Sequence, residues 1–122
     1  MSKTFAVLDT ETTGFEEKDQ VIEVAVVFVG PVRNLVWFSL VKPTVPIHPS
    51  AKGAHHITEK DLANAPTPKE VIRRAPIDLL KDSVVVGHNL AYDERLLRQT
   101  GLAELLPEKR ICTWQCAKHI WP

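Results

Sequence analysis

The order of apolar segments along the chain predicts an α/β domain with a mixed sheet of about five strands and flanking helices. Three strand-like segments come first, at 4–9, 20–30 and 33–42, and helix-like and strand-like segments then alternate. A short connection favours antiparallel neighbours, whereas a helix between two strands favours a parallel crossover. In such sheets functional side chains collect at the carboxyl ends of the parallel strands.

Each of the three leading segments has a strand pattern of its own. Residues 4–9 are apolar on both faces, which is typical of a central strand with helices on both sides. Residues 20–30 alternate, and the residues that share one face are Ile22, Val24, Val26 and Phe28. A Gly-Pro turn then leads into 33–42, so we expect an antiparallel hairpin.

Proline residues divide the middle of the chain into short elements. Three prolines hold 43–49 as an extended loop, and 50–66 contains short helical pieces. Pro68 opens a helix that Pro76 should kink or split. A short buried strand follows at 84–87.

The last third of the chain predicts a helix, a strand and a further helix. Asn89 is placed to cap a helix over 90–99, and Gly101 is a natural stop for it. A short strand over 111–113 leads into a helix from Trp114. These elements complete the five expected strands.

The composition limits the function classes. The 122 residues are enough for one domain, and the hydrophobic and charged fractions of 44% and 25% are those of a globular protein. The formal net charge is zero, which neither favours nor excludes a nucleic-acid partner. Two cysteines do not make a disulfide framework, and there is neither a membrane-spanning run nor a signal pattern. We therefore expect a cytoplasmic protein with no membrane contact.

Two acids follow the first apolar strand. Asp9 and Glu11 are two residues apart, so their side chains project from the same face of a strand. Like charges held this close repel, and a divalent cation between them would remove that cost. Mg²⁺ or Mn²⁺ suits such hard oxygen ligands. The alternative is a strand that ends in a solvated acidic turn.

Asp93 bears on the choice between these interpretations. On the predicted helix it lies three residues after Leu90 and three before Leu96, on the apolar face. A carboxylate there needs a hydrogen-bond partner, an ion pair or a metal. An ion pair with Arg95 and a favourable position in the first helical turn are the alternatives to a metal. The strand at 84–87 should lie beside 5–9 and bring Asp93 toward the first two acids.

These residues resemble two motifs of a known enzyme family. Asp9-x-Glu11-Thr12-Thr13-Gly14, followed by Gly87-His88-Asn89 and Asp93, is similar to the first two motifs of the DEDD (DnaQ-like) 3′–5′ exonucleases. The proofreading epsilon subunit of DNA polymerase III and RNase T are similar members of that family. The loop 46–58 resembles the family loop that ends in His-Gly-Ile-Thr, with His56 in place of the glycine. Cys112-Thr113 falls where the family often has Asp-Thr.

The resemblance implies a ribonuclease-H-like fold and a metal-dependent exonuclease that removes nucleotides from single-stranded 3′ ends. Two Mg²⁺ or Mn²⁺ ions would be held by the catalytic acids Asp9, Glu11 and Asp93. One ion would activate the attacking water, and the other would stabilise the leaving 3′ oxygen. The residues with an implied substrate-binding role are Thr12, Thr13, Gly14, Phe15, His56, His88 and Asn89. Backbone groups of the two threonines would contact the terminal sugar, and Phe15 would stack beside the terminal base.

The chain also departs from the family pattern. The family has a fourth carboxylate on a later helix, preceded by a His or Tyr, and no acid after Asp93 stands in that context. We therefore expect residues 1–122 to be the N-terminal part of a single exonuclease domain that lacks its C-terminal helices, with weak activity or none.

Several alternatives stay open at this stage. His88 either packs the strand end or contacts substrate, and Asn89 is either a helix cap or a ligand. The substrate is DNA, as in proofreading, or RNA, and a DNA polymerase or another replication or repair protein is a candidate partner. A non-catalytic module that binds nucleic acid or a replication protein is the alternative function. An unrelated metal-dependent phosphohydrolase is a third.

Overall fold

The computed structural model describes residues 3–31 and 34–120, and it contains the predicted five-stranded mixed sheet. The strands are β1 (Thr4–Thr12), β2 (Val21–Val29), β3 (Asn34–Leu40), β4 (Ser83–Gly87) and β5 (Arg110–Cys112). Their order across the sheet is β3-β2-β1-β4-β5. β1 pairs antiparallel with β2 and parallel with β4, so the first strand is central as predicted. The predicted hairpin of β2 and β3 is confirmed. The expected first residue of its second strand, Arg33, lies outside the described residues.

Five α-helices connect and flank the strands in the described part of the chain. They are α1 (Pro49–His55), α2 (Pro68–Arg74), α3 (Ile77–Lys81), α4 (Leu90–Thr100) and α5 (Thr113–Ile120). As predicted, Pro76 separates α2 from α3, because its ring cannot continue a helical hydrogen-bond ladder. Gly101 ends α4 with a φ of 81°, a left-handed conformation that glycine adopts at little cost.

One face of the sheet carries the main hydrophobic core. The buried residues of β1 on this face are Ala6 and Leu8, and the buried residues that pack with them come from β2, β4 and the helices. They include Val24, Val26, Phe28, Val71, Leu80, Val85, Leu90, Leu96 and Leu97. We call this side of the sheet the covered face.

The prediction that helices cover β1 on both sides is wrong for the part of the chain that is described. Phe5 and Val7 point to the other side and are 39% and 45% exposed. Their neighbours across the sheet are exposed as well, and with them form what we call the open face: Phe5, Val7, Val27, Val29, Val36, Phe38 and Ile111. Apolar residues on both faces of a strand indicate that burial of each face is favourable. They do not show which segment of the chain covers each face.

Within residues 3–31 and 34–120, every helix is too short or too polar to cross a membrane.

Candidate active site

The end of β1 lies at an opening in the sheet. β4 pairs with β1 only from Thr4 to Val7, whereas β1 continues to Thr12. α4 begins at Leu90, three residues after β4 ends. The edge of β1 beyond Val7 is therefore where side chains of α4 approach the strand.

Asp9 and Glu11 project from the open face at this opening. They lie opposite Ala25 and Glu23 of β2, in register with Phe5 and Val7 on the same face. The pKa of Glu11 is raised, first by partial burial and then by the charge of Asp9, with a smaller contribution from Glu23. His55 acts in the opposite direction. Acidic side chains are therefore concentrated at one end of one face.

Asp93 reaches the same opening from the covered face. As the helical spacing predicted, its side chain is buried, with 5% exposed. The Thr10 hydroxyl donates a 2.6 Å hydrogen bond to Asp93 Oδ1. Burial raises the pKa of Asp93 from 3.8 to about 6; the Thr10 hydrogen bond lowers it and the nearby Asp9 charge raises it. The alternative of an ion pair with Arg95 is wrong, since that guanidinium donates to the Phe15 carbonyl at 2.9 Å and lies over the Tyr92 ring.

The donor set fits a hard divalent cation. All three side chains offer carboxylate oxygens, which Mg²⁺ and Mn²⁺ prefer over nitrogen or sulfur ligands. Burial is the first cause of the raised pKa values of Glu11 and Asp93, and the charge of Asp9 adds to it. A bound cation would favour the charged forms of these carboxylates.

Two clefts open beside these acids. The Asp9 cleft has a volume of about 370 Å³, within the range of small-ligand sites, and is lined by Asp9, Thr10, Phe15, His88, Asn89, Tyr92 and Asp93. The smaller Glu11 cleft is lined by Thr10, Glu11, Thr12, Phe15, Ala51, Ala54, His55 and Tyr92. Phe15 and Tyr92 belong to both, with their ring centroids 5.8 Å apart, so an aromatic wall joins the clefts.

The structure places most of the predicted site residues on these clefts and three of them elsewhere. Thr13 is fully buried, and its hydroxyl, N–H and C=O are all hydrogen-bonded within the protein. Gly14 lies against Asp19 and His48, and a Cβ there would be 2.4 Å from His48 Cδ2. His56 is exposed, ends α1 with a φ of 60°, and belongs to neither cleft.

His55 lines the Glu11 cleft, whereas its neighbour His56 lines neither cleft. Its Nδ1 accepts the Ile57 N–H at 3.0 Å, so its Nε2 carries the proton and donates to the Thr12 carbonyl at 3.0 Å. His55 stands where the resembling family loop has its histidine, and that signal was available. Tyr92 had no comparable signal, since helical spacing alone does not show that a residue beside Asp93 points into a cleft.

Asn89 and His88 directly precede α4, and both line the Asp9 cleft. Asn89 was predicted as a cap, but it has a φ of 57° and its side chain makes no capping hydrogen bond. It lines the Asp9 cleft instead. The Nδ1 of His88 lies 2.9 Å from Thr113 Oγ1 at the start of α5, and the residue also lines the Asp9 cleft, so its role in substrate contact stays a prediction.

The family follows from comparison with known proteins. A model of the RNase T exonuclease family matches residues 6–120. The chain belongs to this exonuclease family. The predicted membership is thereby confirmed, and so is the exonuclease-type fold.

Relatives and solved structures place the chain within the family. Exodeoxyribonuclease 10 of Escherichia coli is 33% identical over 118 residues, which cover 95% of this chain and 48% of the relative. The DNA polymerase III subunit epsilon of Treponema pallidum is 31% identical over 97% of this chain and 57% of its own length. A structure of exonuclease X in complex with 5′ overhanging duplex DNA superimposes with a TM-score of 0.71 at 32% identity, covering 97% of this chain and 64% of that one. The chain spans about half the length of the curated relatives it matches.

Proposed function

We propose that this protein removes nucleotides from the 3′ end of single-stranded DNA by metal-dependent hydrolysis of the phosphodiester bond. The observation that carries the proposal is the position of Asp9, Glu11 and Asp93 on two adjoining clefts beside β1 that share an aromatic wall, with Asp9 and Asp93 on one cleft and Glu11 on the other. Among the described residues these three acids do not bring their oxygens within 4.8 Å of one another, so a bound ion would draw them closer. DNA is the favoured substrate because one relative is an exodeoxyribonuclease and the exonuclease X structure contains DNA. RNA is the competing substrate.

The three acids would hold one or two Mg²⁺ or Mn²⁺ ions. When bound, such ions activate water and stabilise the leaving 3′ oxygen. Asp9 and Glu11 offer their oxygens from the open face, and Asp93 offers its oxygen from α4. The Thr10 hydroxyl keeps Asp93 oriented and favours its charged form, which is the form that binds metal.

The aromatic wall would receive the terminal nucleotide. Phe15 is 66% exposed although it lines both clefts, so its ring is available for stacking on a base. Stacking tolerates any base, which suits an enzyme that removes nucleotides one after another. His55 holds the Thr12 carbonyl beside this wall.

Two broader expectations belong to the same proposal. We assign residues 1–122 to a single exonuclease domain. The partner would be a DNA polymerase or another replication or repair protein, which the epsilon relative supports.

The test combines metal binding with end-directed hydrolysis. Calorimetry with Mn²⁺ and digestion of 5′-labelled single-stranded DNA and RNA are measured for the wild type and for Asp9→Asn, Glu11→Gln and Asp93→Asn. We expect products shortened stepwise from the 3′ end of the DNA, and each variant should lower the rate by about 10³-fold or more. Glu104→Gln, which removes an exposed charge from a residue that lines neither cleft, is the matched control and should change neither readout.

Two results would contradict the proposal. If the wild type binds no Mn²⁺ but binds oligonucleotides, the chain is a non-catalytic module. If Asp9→Asn cleaves as fast as the wild type, another site performs the chemistry. Because a fourth carboxylate is expected to be lacking, turnover should be slow, and Mn²⁺ binding is the more sensitive readout.

A further inference from the structure

Phe15 lines both clefts, but little holds its side chain. The ring is 66% exposed, and its aromatic neighbour is Tyr92. An exposed side chain of this kind takes its position from the backbone that carries it. The contacts that fix the turn from Thr12 to Phe15 therefore decide where the ring lies.

The carboxylate of Asp19 closes this turn. Asp19 is only 2% exposed, although it belongs to an otherwise exposed loop. Its Oδ1 accepts the Thr13 hydroxyl at 2.7 Å, and its Oδ2 accepts the Glu16 N–H at 2.7 Å. One buried side chain thus binds the residues on both sides of Gly14 and Phe15. Burying a carboxylate is costly without such partners, so these hydrogen bonds hold it in one geometry.

The closed turn is also attached to two helices. His48, which directly precedes α1, donates its backbone N–H to the Thr13 carbonyl at 2.8 Å. The Nε2 of its ring lies 3.6 Å from Asp19 Oδ1. Gln99 of α4 donates to the Asp19 carbonyl at 2.8 Å. Any Cβ at Gly14 would lie 2.6 Å from Asp19 Oδ2, which shows how closely the carboxylate packs against the turn.

Glu16, Asp19 and His48 bring ligand atoms within 4.8 Å of one another, which suggests a cation site at first sight. Both Asp19 oxygens already accept short hydrogen bonds from the protein. The contacts therefore indicate a clamp on the turn, and not a metal ligand.

We propose that Asp19 is a positioning residue, which acts on the substrate through Phe15 by fixing the Thr12–Phe15 turn. This inference rests on the proposed function, because it assigns Phe15 to the 3′-terminal nucleotide. Asp19 itself touches neither cleft. Its effect on catalysis should therefore vanish when the Phe15 ring is absent.

A double-mutant cycle on the full chain tests this coupling. KM and kcat for a single-stranded DNA oligonucleotide are measured with Mn²⁺ for the wild type, Asp19→Asn, Phe15→Ala and the double variant. Each single variant should raise KM about tenfold with kcat within about threefold, and the double variant should be no worse than Phe15→Ala. If the two effects multiply, Asp19 does not act through Phe15 and the proposal is wrong.

Asp61→Asn is the matched control for this cycle. Asp61 also accepts hydrogen bonds from a threonine hydroxyl and a backbone N–H, at Thr58, but it is exposed and lines neither cleft. It should leave KM and kcat unchanged. If Asp61→Asn raises KM equally, the loss of any such loop carboxylate affects substrate binding, and the specific role of Asp19 is overturned.

Amide hydrogen exchange separates this inference from the proposed function. In Asp19→Asn the Glu16 and Gln20 amides should exchange at least about tenfold faster, while those of Val24 and Val26 in β2 stay unchanged. If the wild type does not act on oligonucleotides but the exchange changes as expected, the proposed function fails and the clamp stands. Unchanged exchange at Glu16 would overturn the clamp whatever the activity.

Discussion

The two faces of β1 differ in what surrounds them. On the covered face, Leu8 is 2% exposed within the main core, and Thr10 continues this face toward α4. On the open face, Val7 is 45% exposed, and Asp9 and Glu11 continue it into the clefts. A single strand thus carries core residues and the proposed metal ligands Asp9 and Glu11 on opposite sides. Asp93 reaches β1 from the covered face beyond the end of its pairing with β4.

This difference shows how one strand, β1, can be held in place by its buried face and present an accessible acidic site on its other face. The covered face supplies the burial that holds β1 in place, and it raises the pKa of Asp93 by the same burial. The open face keeps Asp9 and Glu11 accessible to ions. Changes to the two faces should therefore affect stability and metal binding separately.

The largest effect is expected from shortening one side chain on each face. Leu8→Ala should lower the free energy of unfolding by about 3 to 4 kcal/mol, because it leaves a cavity in a closed core. Val7→Ala, one residue away, should cost about 1 kcal/mol or less, since nearly half of that side chain is already in water. Urea denaturation of the two variants measures the difference. Equal costs would show that the open face is covered in solution.

A somewhat smaller effect is expected at Asp93, where the covered face meets the site. Its folded-state pKa of about 6 lies above the ordinary value of 3.8, so the folded state binds the proton more tightly. This contribution to stability is complete below pH 3.8 and is lost as the pH rises through about 6. In metal-free protein at pH 7.5, Asp93→Asn should therefore be more stable than the wild type by about 2 to 3 kcal/mol.

Urea denaturation from pH 3.5 to pH 7.5 checks this prediction. The advantage of Asp93→Asn should disappear at the acidic end of the range. Saturating Mn²⁺ should also reduce it at pH 7.5, because the cation stabilises the wild type alone. An Asp93→Asn protein that is less stable than the wild type at pH 7.5 would contradict the assigned burial cost.

The smallest effect is expected from the Thr10 hydroxyl, which joins β1 to α4 through its hydrogen bond to Asp93. Thr10→Val removes the 2.6 Å hydrogen bond to Asp93, which favours the charged carboxylate. The pKa of Asp93 should rise by about one further unit, and Mn²⁺ should bind about threefold more weakly at pH 6.5, because a smaller fraction of the carboxyl is then ionised. Carbon-13 NMR of the Asp93 carboxyl follows the first change, and calorimetry follows the second.

Thr4→Val is the matched control for this substitution. Thr4 begins the same strand on the same face and lies outside both clefts. It should leave the Asp93 titration and the Mn²⁺ affinity unchanged. If both threonine variants weaken Mn²⁺ binding equally, the hydrogen bond to Asp93 is not the cause.

The amino-acid sequence by itself determined the mixed five-stranded sheet and the order of its elements. Alternating apolar residues defined β2, Pro76 separated two helices, and Gly101 ended α4, because these signals act within a few residues. It also brought Asp9, Glu11 and Asp93 together as candidates. Period-two spacing and helical spacing are local properties, and they predicted the faces on which these acids lie.

Only the tertiary structure decided what each face and each loop contacts. It left the open face of β1 exposed among the described residues, turned His55 and not His56 into a cleft, and buried Asp19 against the Thr12–Phe15 turn. It also gave Asn89 a left-handed conformation, so that its side chain does not cap α4. These outcomes depend on the packing of segments that are far apart in the chain. The spacing of residues that are close in the sequence does not predict which of these long-range contacts are favourable.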